Sequence, residues 1–231
     1  MSDVIKEQLI EAIKTHYAVI YYDDTLLNRM AKLIENLSIF KGTTTSLSIK
    51  WLVKKYIVRY SESQDVFYHT VRHMMAVANI TMLLAKDLTL IEKQNLLLAA
   101  LFHDYEHSLG EATDSYNVAK SIYLSKLQIE NMNTPFNSML GTQYNINVIQ
   151  DAIFCTVFPF RVEPENEIEK ILRDADLLMS LCPDVDHFAK GLSLETKVEH
   201  TKQTMTDFVK GQTLYTPLAK EWFDAQVVLD V

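Results

Sequence analysis

Glycine and proline are scarce, with five of each in 231 residues. Sheets joined by tight turns draw heavily on both. Their scarcity argues against a sandwich or barrel and leaves helix as the prior, which the abundance of Leu, Ala, Lys, Met and Glu reinforces. Cysteine is scarcer still. Cys155 and Cys182 cannot form a disulfide framework and do not make a metal-type Cys pair, so both read as free thiols in a reducing compartment. No apolar run approaches the ~18 residues of a membrane span. The opening MSDVIKEQLIEAIK lacks the apolar core of a secretory signal, so the expectation is a cytoplasmic protein with no membrane partner. Positive charge is also short. The net charge is -8 and Lys and Arg are scattered, which excludes a nucleic-acid duplex as the partner because phosphate neutralisation needs a clustered basic footprint. A small phosphate ester remains open, since a bound metal can supply positive charge locally.

What is present is ample core material, 48% hydrophobic residues against 23% charged. No repeat, low-complexity tract or linker divides the chain, so one all-α domain over 1–231 is expected. Helical patterning runs over 3–21, 24–38, 47–61 and 64–87. A further helix starts near Thr89, where Thr89 and Glu92 have capping-box spacing. Its second half, LLLAALF, is apolar on all sides, as in a helix buried at the centre of a bundle. Helix resumes after Gly110, gives way to a loop at NMNTPFNSMLGTQYN, and returns in NVIQDAIFCTVF until Pro159. Further helices are expected over 165–181 and 195–210 and in the closing TPLAKEWFDAQVVLDV.

The run FHDYEHSLG breaks the pattern, placing His103, Asp104, Glu106 and His107 where the buried helix ends. His69 and His73 are four apart on the preceding expected helix, on one face with Val77, Ile80 and Leu84. One histidine in a core is most often structural; two on one inward face, with a third closing the central helix, point to a site. His103 aligns with Leu96, Ala99 and Ala100 and so points inward. A neighbouring imidazole and carboxylate in an opening of the core suit a divalent cation, which keeps a buried acid ionised. In EIEKILRDADLLMSL the inner face is Ile168, Leu172, Ala175 and Met179. Asp176 lies at its margin, whereas Asp174 is expected to face solvent.

YHTVRH, HDYEH and DADLL, in that order on a helical chain, resemble the HD superfamily of metal-dependent phosphohydrolases. The resemblance spans about 64–182, with N-terminal helices over 1–61 and C-terminal helices over 195–231 packed on that core. It is strongest to the class I cyclic-nucleotide phosphodiesterases. Tyr68 to His73 parallel their Tyr-His-Asn-x-x-His, and His103 to Gly110 parallel their His-Asp-x-Asp-His-Pro-Gly. Ala175-Asp176-Leu177 match their Ala-Asp-Leu, Pro217, Leu218 and Trp222 their Pro-Leu-x-x-x-Trp, and Thr156 the Thr of their Thr-Asp-Met. The chain departs at Thr70, Ala76, Ser108 and Val157, and by an insertion between Gly110 and Asn117. Neither Gln203 nor Gln212 has the spacing of their purine-binding Gln.

The resemblance implies that His73, His103, Asp104 and Asp176 hold one metal and that Asp104 bridges to a second. Mg²⁺ or Mn²⁺ would occupy one site and Zn²⁺, Mn²⁺ or Fe²⁺ the other. The implied reaction is hydrolysis of a small nucleotide phosphoester, a cyclic diester above all, by a hydroxide bridging the two ions. His69 would be the general acid, with Glu106 and His107 orienting the metals' ligands and waters. Thr156 and Phe208 are candidate substrate contacts. The alternatives are a nucleotide phosphomonoesterase, a mixed-valent di-iron oxygenase and a catalytically silent nucleotide-binding module.

Overall fold

Most of the described helices start where a short polar side chain takes up a free N–H group of the first turn. In a computed structural model that describes residues 67–133, 144–182 and 185–229, eight helices and no strand are found among the described residues. They are α1 Val71–Leu84, α2 Leu90–Phe102, α3 Asp114–Met132, α4 Ile146–Phe154, α5 Glu167–Met179, α6 Val185–Thr196, α7 Lys202–Lys210 and α8 Pro217–Leu229. The all-α expectation holds for these residues, and the helices expected over 3–21, 24–38 and 47–61 lie outside them. No described helix is long and apolar enough to cross a membrane.

Thr89 caps α2 in the expected box, its hydroxyl accepting from Glu92 N–H while the Glu92 carboxylate accepts from Thr89 N–H. Thr113, Asn145, Asn166 and Thr201 cap α3, α4, α5 and α7 with their side-chain oxygens. The second half of α2, from Leu96 to Phe102, is wholly buried. This helix lies at the centre, in contact with α1, α3, α4 and α5, while α5 also meets α1, α4 and α8. The α1 stripe of Val77, Ile80 and Leu84 and the α5 face of Ile168, Leu172, Ala175 and Met179 are all buried. Trp222 of α8 belongs to the core.

Three expectations are corrected. Within the helix expected over 64–87, Phe67 to Thr70 form a bend with Thr70 extended, so α1 begins at Val71; residues 64–66 lie outside the described ones. The cause is long-range, for the Glu195 carboxylate accepts from the N–H groups of both Tyr68 and His69, at 2.7 and 2.8 Å. The helix expected over 195–210 is instead the end of α6 and all of α7. Lys197 takes a left-handed φ of 58°, and Thr201 starts a new helix in a capping box with Thr204.

The third correction is Asp174, which is not at the surface but 0% exposed. It accepts from Tyr215 N–H at 2.9 Å and Thr216 N–H at 2.7 Å, at the entrance to α8. Burial raises its carboxyl pKa, and these N–H groups oppose the rise. Asp174→Ala should therefore strand two N–H donors and cost about 1–3 kcal/mol. Thermal unfolding checks this, with a drop of about 2–4 °C expected per kcal/mol for a chain of this size.

Candidate metal centre and its cavity

Four side chains from three parts of the chain converge at the end of the central helix. His73 lies in the first turn of α1, His103 caps the C-terminus of α2, Asp104 follows it, and Asp176 stands on α5. His73 Nε2 is 3.0 Å from His103 Nε2, and the Asp104 Oδ2 atom is 3.0 Å from each of them. Asp176 Oδ1 lies 3.2 Å from His73 Nε2 and 3.6 Å from His103 Nε2. Ligands held at about 2.1 Å and at right angles round one ion stand about 3.0 Å apart, so this spacing suits a shared cation.

The donor chemistry fits as well. His103 donates from Nδ1 to the Ala100 carbonyl at 2.7 Å, a bond that turns Nε2 toward the cluster, where it can ligate once its proton is displaced by a cation. His73 and His103 are wholly buried, and His73 Nδ1 has no hydrogen bond among the described residues. Burial opposes charge on His103, Asp104 and Asp176, yet their neighbours outweigh it. Asp104 and Asp176 hold His103 well above the usual range. His103 and His69 hold Asp104 well below it, and hydrogen bonds from His103 and His73 do the same for Asp176. Two carboxylates and two imidazole nitrogens around one point are the donor set for a divalent ion.

Beside this cluster is a second group, His69, His107 and Glu195, whose donor atoms also lie within 4.8 Å of one another. Their bonding is of another kind. Glu195 Oε2 is 2.5 Å from His69 Nδ1, while its other oxygen takes the two N–H groups of the bend. The His69 and His107 rings stack with centroids 3.9 Å apart. His107 Nδ1 accepts from Leu109 N–H at 3.1 Å, which leaves the proton of the neutral ring on Nε2, 2.8 Å from the Asn117 side-chain amide. Ser108 N–H bonds the same Asn117 side chain at 3.1 Å. Burial and the neighbouring His69 lower the His107 pKa to about 4. The His69 pKa is raised to about 9: burial works against its charge, but Asp104 and the Glu195 hydrogen bond outweigh it.

Glu195 was missed by sequence reasoning, being over a hundred residues from His69 and read as part of a regular helix. Two glycines bring it in. A Cβ on Gly110, where φ is +90°, would lie 2.1 Å from the Glu195 carbonyl oxygen, and one on Gly191 would lie 2.6 Å from the Phe67 backbone. The left-handed φ and the close approach both require glycine at 110. Gly110→Ala should displace α6 and loosen the hold of Glu195 on His69, giving a lower melting temperature in thermal unfolding.

Both groups open into one cavity of about 590 Å³, within the range of small-ligand sites. Asp104, Asp176, His69, His107 and Glu195 line it, as do Thr156 and Phe208, the two candidate substrate contacts. The Thr156 hydroxyl donates to the Ile153 carbonyl at 2.8 Å. Glu106 is the exception among the candidates. Its φ of 55° turns it out of the site, and it is exposed and paired with Lys120 at 3.3 Å, so it does not orient the cluster. Gln203 is also exposed, bonded to Asp207.

Residues 70–180 match the family model described as HD domain, which supports placement in the HD superfamily. No curated protein and no solved structure gives a match.

Proposed function

We propose, with the HD domain at residues 70–180 as the premise, that the protein is a metal-dependent phosphohydrolase acting on a small nucleotide phosphoester, a cyclic diester first of all. The observation that carries this reading is the adjacency of the His73–His103–Asp104–Asp176 cluster to a carboxylate-held imidazole, His69, in one cavity. Held by those four residues, a divalent cation would supply a water that ionises near neutral pH and positive charge for the phosphoryl oxygens.

The rest is the work of this chain. Glu195 keeps the proton on His69 Nδ1, so Nε2 is the atom that donates to the leaving oxygen. After that transfer, Nδ1–H still holds the ring on Glu195, and Nε2 is placed to take up a proton from water. His107, stacked on His69 and kept neutral, fixes the plane of the acid without competing for its charge. The cavity-lining residues described include neither Lys nor Arg, which suits a substrate with one phosphoryl group better than a polyphosphate. The oxygenase alternative needs further histidine ligands. His107 is instead engaged by Leu109 N–H and the Asn117 side-chain amide, so nothing here favours it.

The direct test is hydrolysis of cyclic nucleotides, nucleoside monophosphates and dinucleotides by the purified protein with Mn²⁺, beside an EDTA-treated sample. Turnover of a cyclic nucleotide that EDTA abolishes is the expected result. Turnover of monophosphates alone would replace the cyclic diester by a monoester. No turnover with metal bound would overturn the hydrolase reading.

Glu195→Gln gives a pH test. The acid must be protonated to act, so activity is present below the His69 pKa and lost as pH rises through it. Removing the Glu195 charge takes away one of the causes that raise that pKa. The alkaline limb of kcat/KM should therefore move to lower pH in the variant, with metal content unchanged.

A further inference from the structure

One wall of the cavity plays no part in this chemistry. Phe158, Phe160 and Phe208 line it, with Phe158 edge-on to Phe160 at 5.5 Å and to Phe208 at 5.3 Å. The wall is braced from behind. The Arg173 guanidinium lies 4.4 Å from the Phe160 ring centroid, while Arg173 Nε donates to the Cys155 carbonyl at 2.7 Å and its Nη2 to the Val162 carbonyl. Arg173 is itself buried, so the segment carrying Phe158 and Phe160 is tied down at both ends.

A carboxylate adjoins this wall. Asp114, in the first turn of α3, accepts from Phe158 N–H through Oδ2 at 2.6 Å and lines the same cavity. Its other oxygen has no hydrogen bond among the described residues, and no Lys or Arg among the described cavity residues neutralises it. Burial raises its pKa to about 6, against the Phe158 N–H, so near neutral pH it is mainly an acceptor. An ionised carboxyl has room for further donors on both oxygens. Flat aromatic surface beside an unneutralised acceptor is a binding site for a ring whose edge carries N–H groups.

We propose that Asp114 is the base-selecting residue: the substrate's heteroaromatic ring lies against Phe158 and Phe208 and presents two adjacent N–H donors to the Asp114 carboxylate, as guanine does with N1–H and its exocyclic amine. Adenine offers a lone pair at N1, which faces the carboxylate unfavourably, and hypoxanthine offers N1–H alone. A polar group left unpaired in such a site is what makes discrimination large. The inference rests on the nucleotide reading of this same cavity and adds to it the identity of the base.

Binding of guanosine, inosine and adenosine, measured by calorimetry, reads the base subsite without any phosphate or turnover. The wild-type protein should bind guanosine at least about tenfold more tightly than inosine, the expected scale for losing one hydrogen bond to a charged group, and adenosine more weakly still. Asp114→Asn should remove most of that preference. Equal binding of the three nucleosides by the wild type, or an unchanged preference in a folded Asp114→Asn protein, overturns the role of Asp114. Hydrolysis of nucleotides without base preference also overturns it while leaving the hydrolase reading intact. Neither binding nor hydrolysis of any nucleotide overturns both.

Discussion

Asp104→Ala should remove bound divalent cation and hydrolysis together. Asp104 Oδ2 stands 3.0 Å from both imidazole nitrogens, and its side chain is nearly wholly buried. Without it, His73 and His103 face each other with only Asp176, itself partly exposed, to supply negative charge. Losing a group that merely orients a ligand costs about 10–100-fold in metal affinity or activity. Loss of a ligand that touches both histidines should exceed that, with turnover falling more than about a hundredfold. Metal analysis after gel filtration, paired with the hydrolysis assay, reads both quantities. Asp174→Ala is the control, because that acid holds backbone N–H groups of the α8 entrance instead of facing the cluster. It should lose stability and keep its metal. Retained turnover in Asp104→Ala would contradict the scheme.

His69→Ala should have the second largest effect, with the opposite signature in metal content. Positioned general acids contribute about 10²–10⁴ in rate, so kcat should fall within that range while metal binding stays intact. His69 belongs to the neighbouring group with His107 and Glu195 and approaches the four-residue cluster edge-on at His73, with 5.6 Å between ring centroids. The loss should depend on the leaving group. An ester of a nitrophenol departs as a stable anion and needs little protonation, so its hydrolysis should suffer far less than that of a nucleotide ester. An equal loss on both would show that His69 supports structure or metal binding instead of delivering a proton. Steady-state kinetics on the two substrates, with metal content measured in parallel, separates the cases.

The parts of this site that were legible in the sequence are those written in helical spacing and local pairing. His73 falls within an apolar stripe, His103 and Asp104 close a helix that is apolar on all sides, and Thr89 with Glu92 announces where that helix starts. The parts that were hidden depend on contacts between distant segments. Nothing near His69 shows that Glu195 will bend its backbone and hold its ring. Asp174 and Asp176 differ by two positions on one helix, and periodicity placed Asp174 outward. What buries it is the arrival of Tyr215 and Thr216 from forty residues away. Glu106 misled for the reverse reason, as a left-handed turn directs an acid beside a ligand pair toward Lys120. Asp114 and Phe158 carried no motif at all and meet across 44 residues.

The most direct measurement is reconstitution. The protein is stripped with EDTA, tested for hydrolysis of a cyclic nucleotide, and then titrated with Mn²⁺ while bound metal and turnover are followed in the same sample. The account requires no turnover in the stripped protein and a rise in turnover in proportion to bound Mn²⁺, with neither appearing in Asp104→Ala. Full activity in the stripped protein, or Mn²⁺ binding to Asp104→Ala as tight as to the unaltered chain, would contradict it.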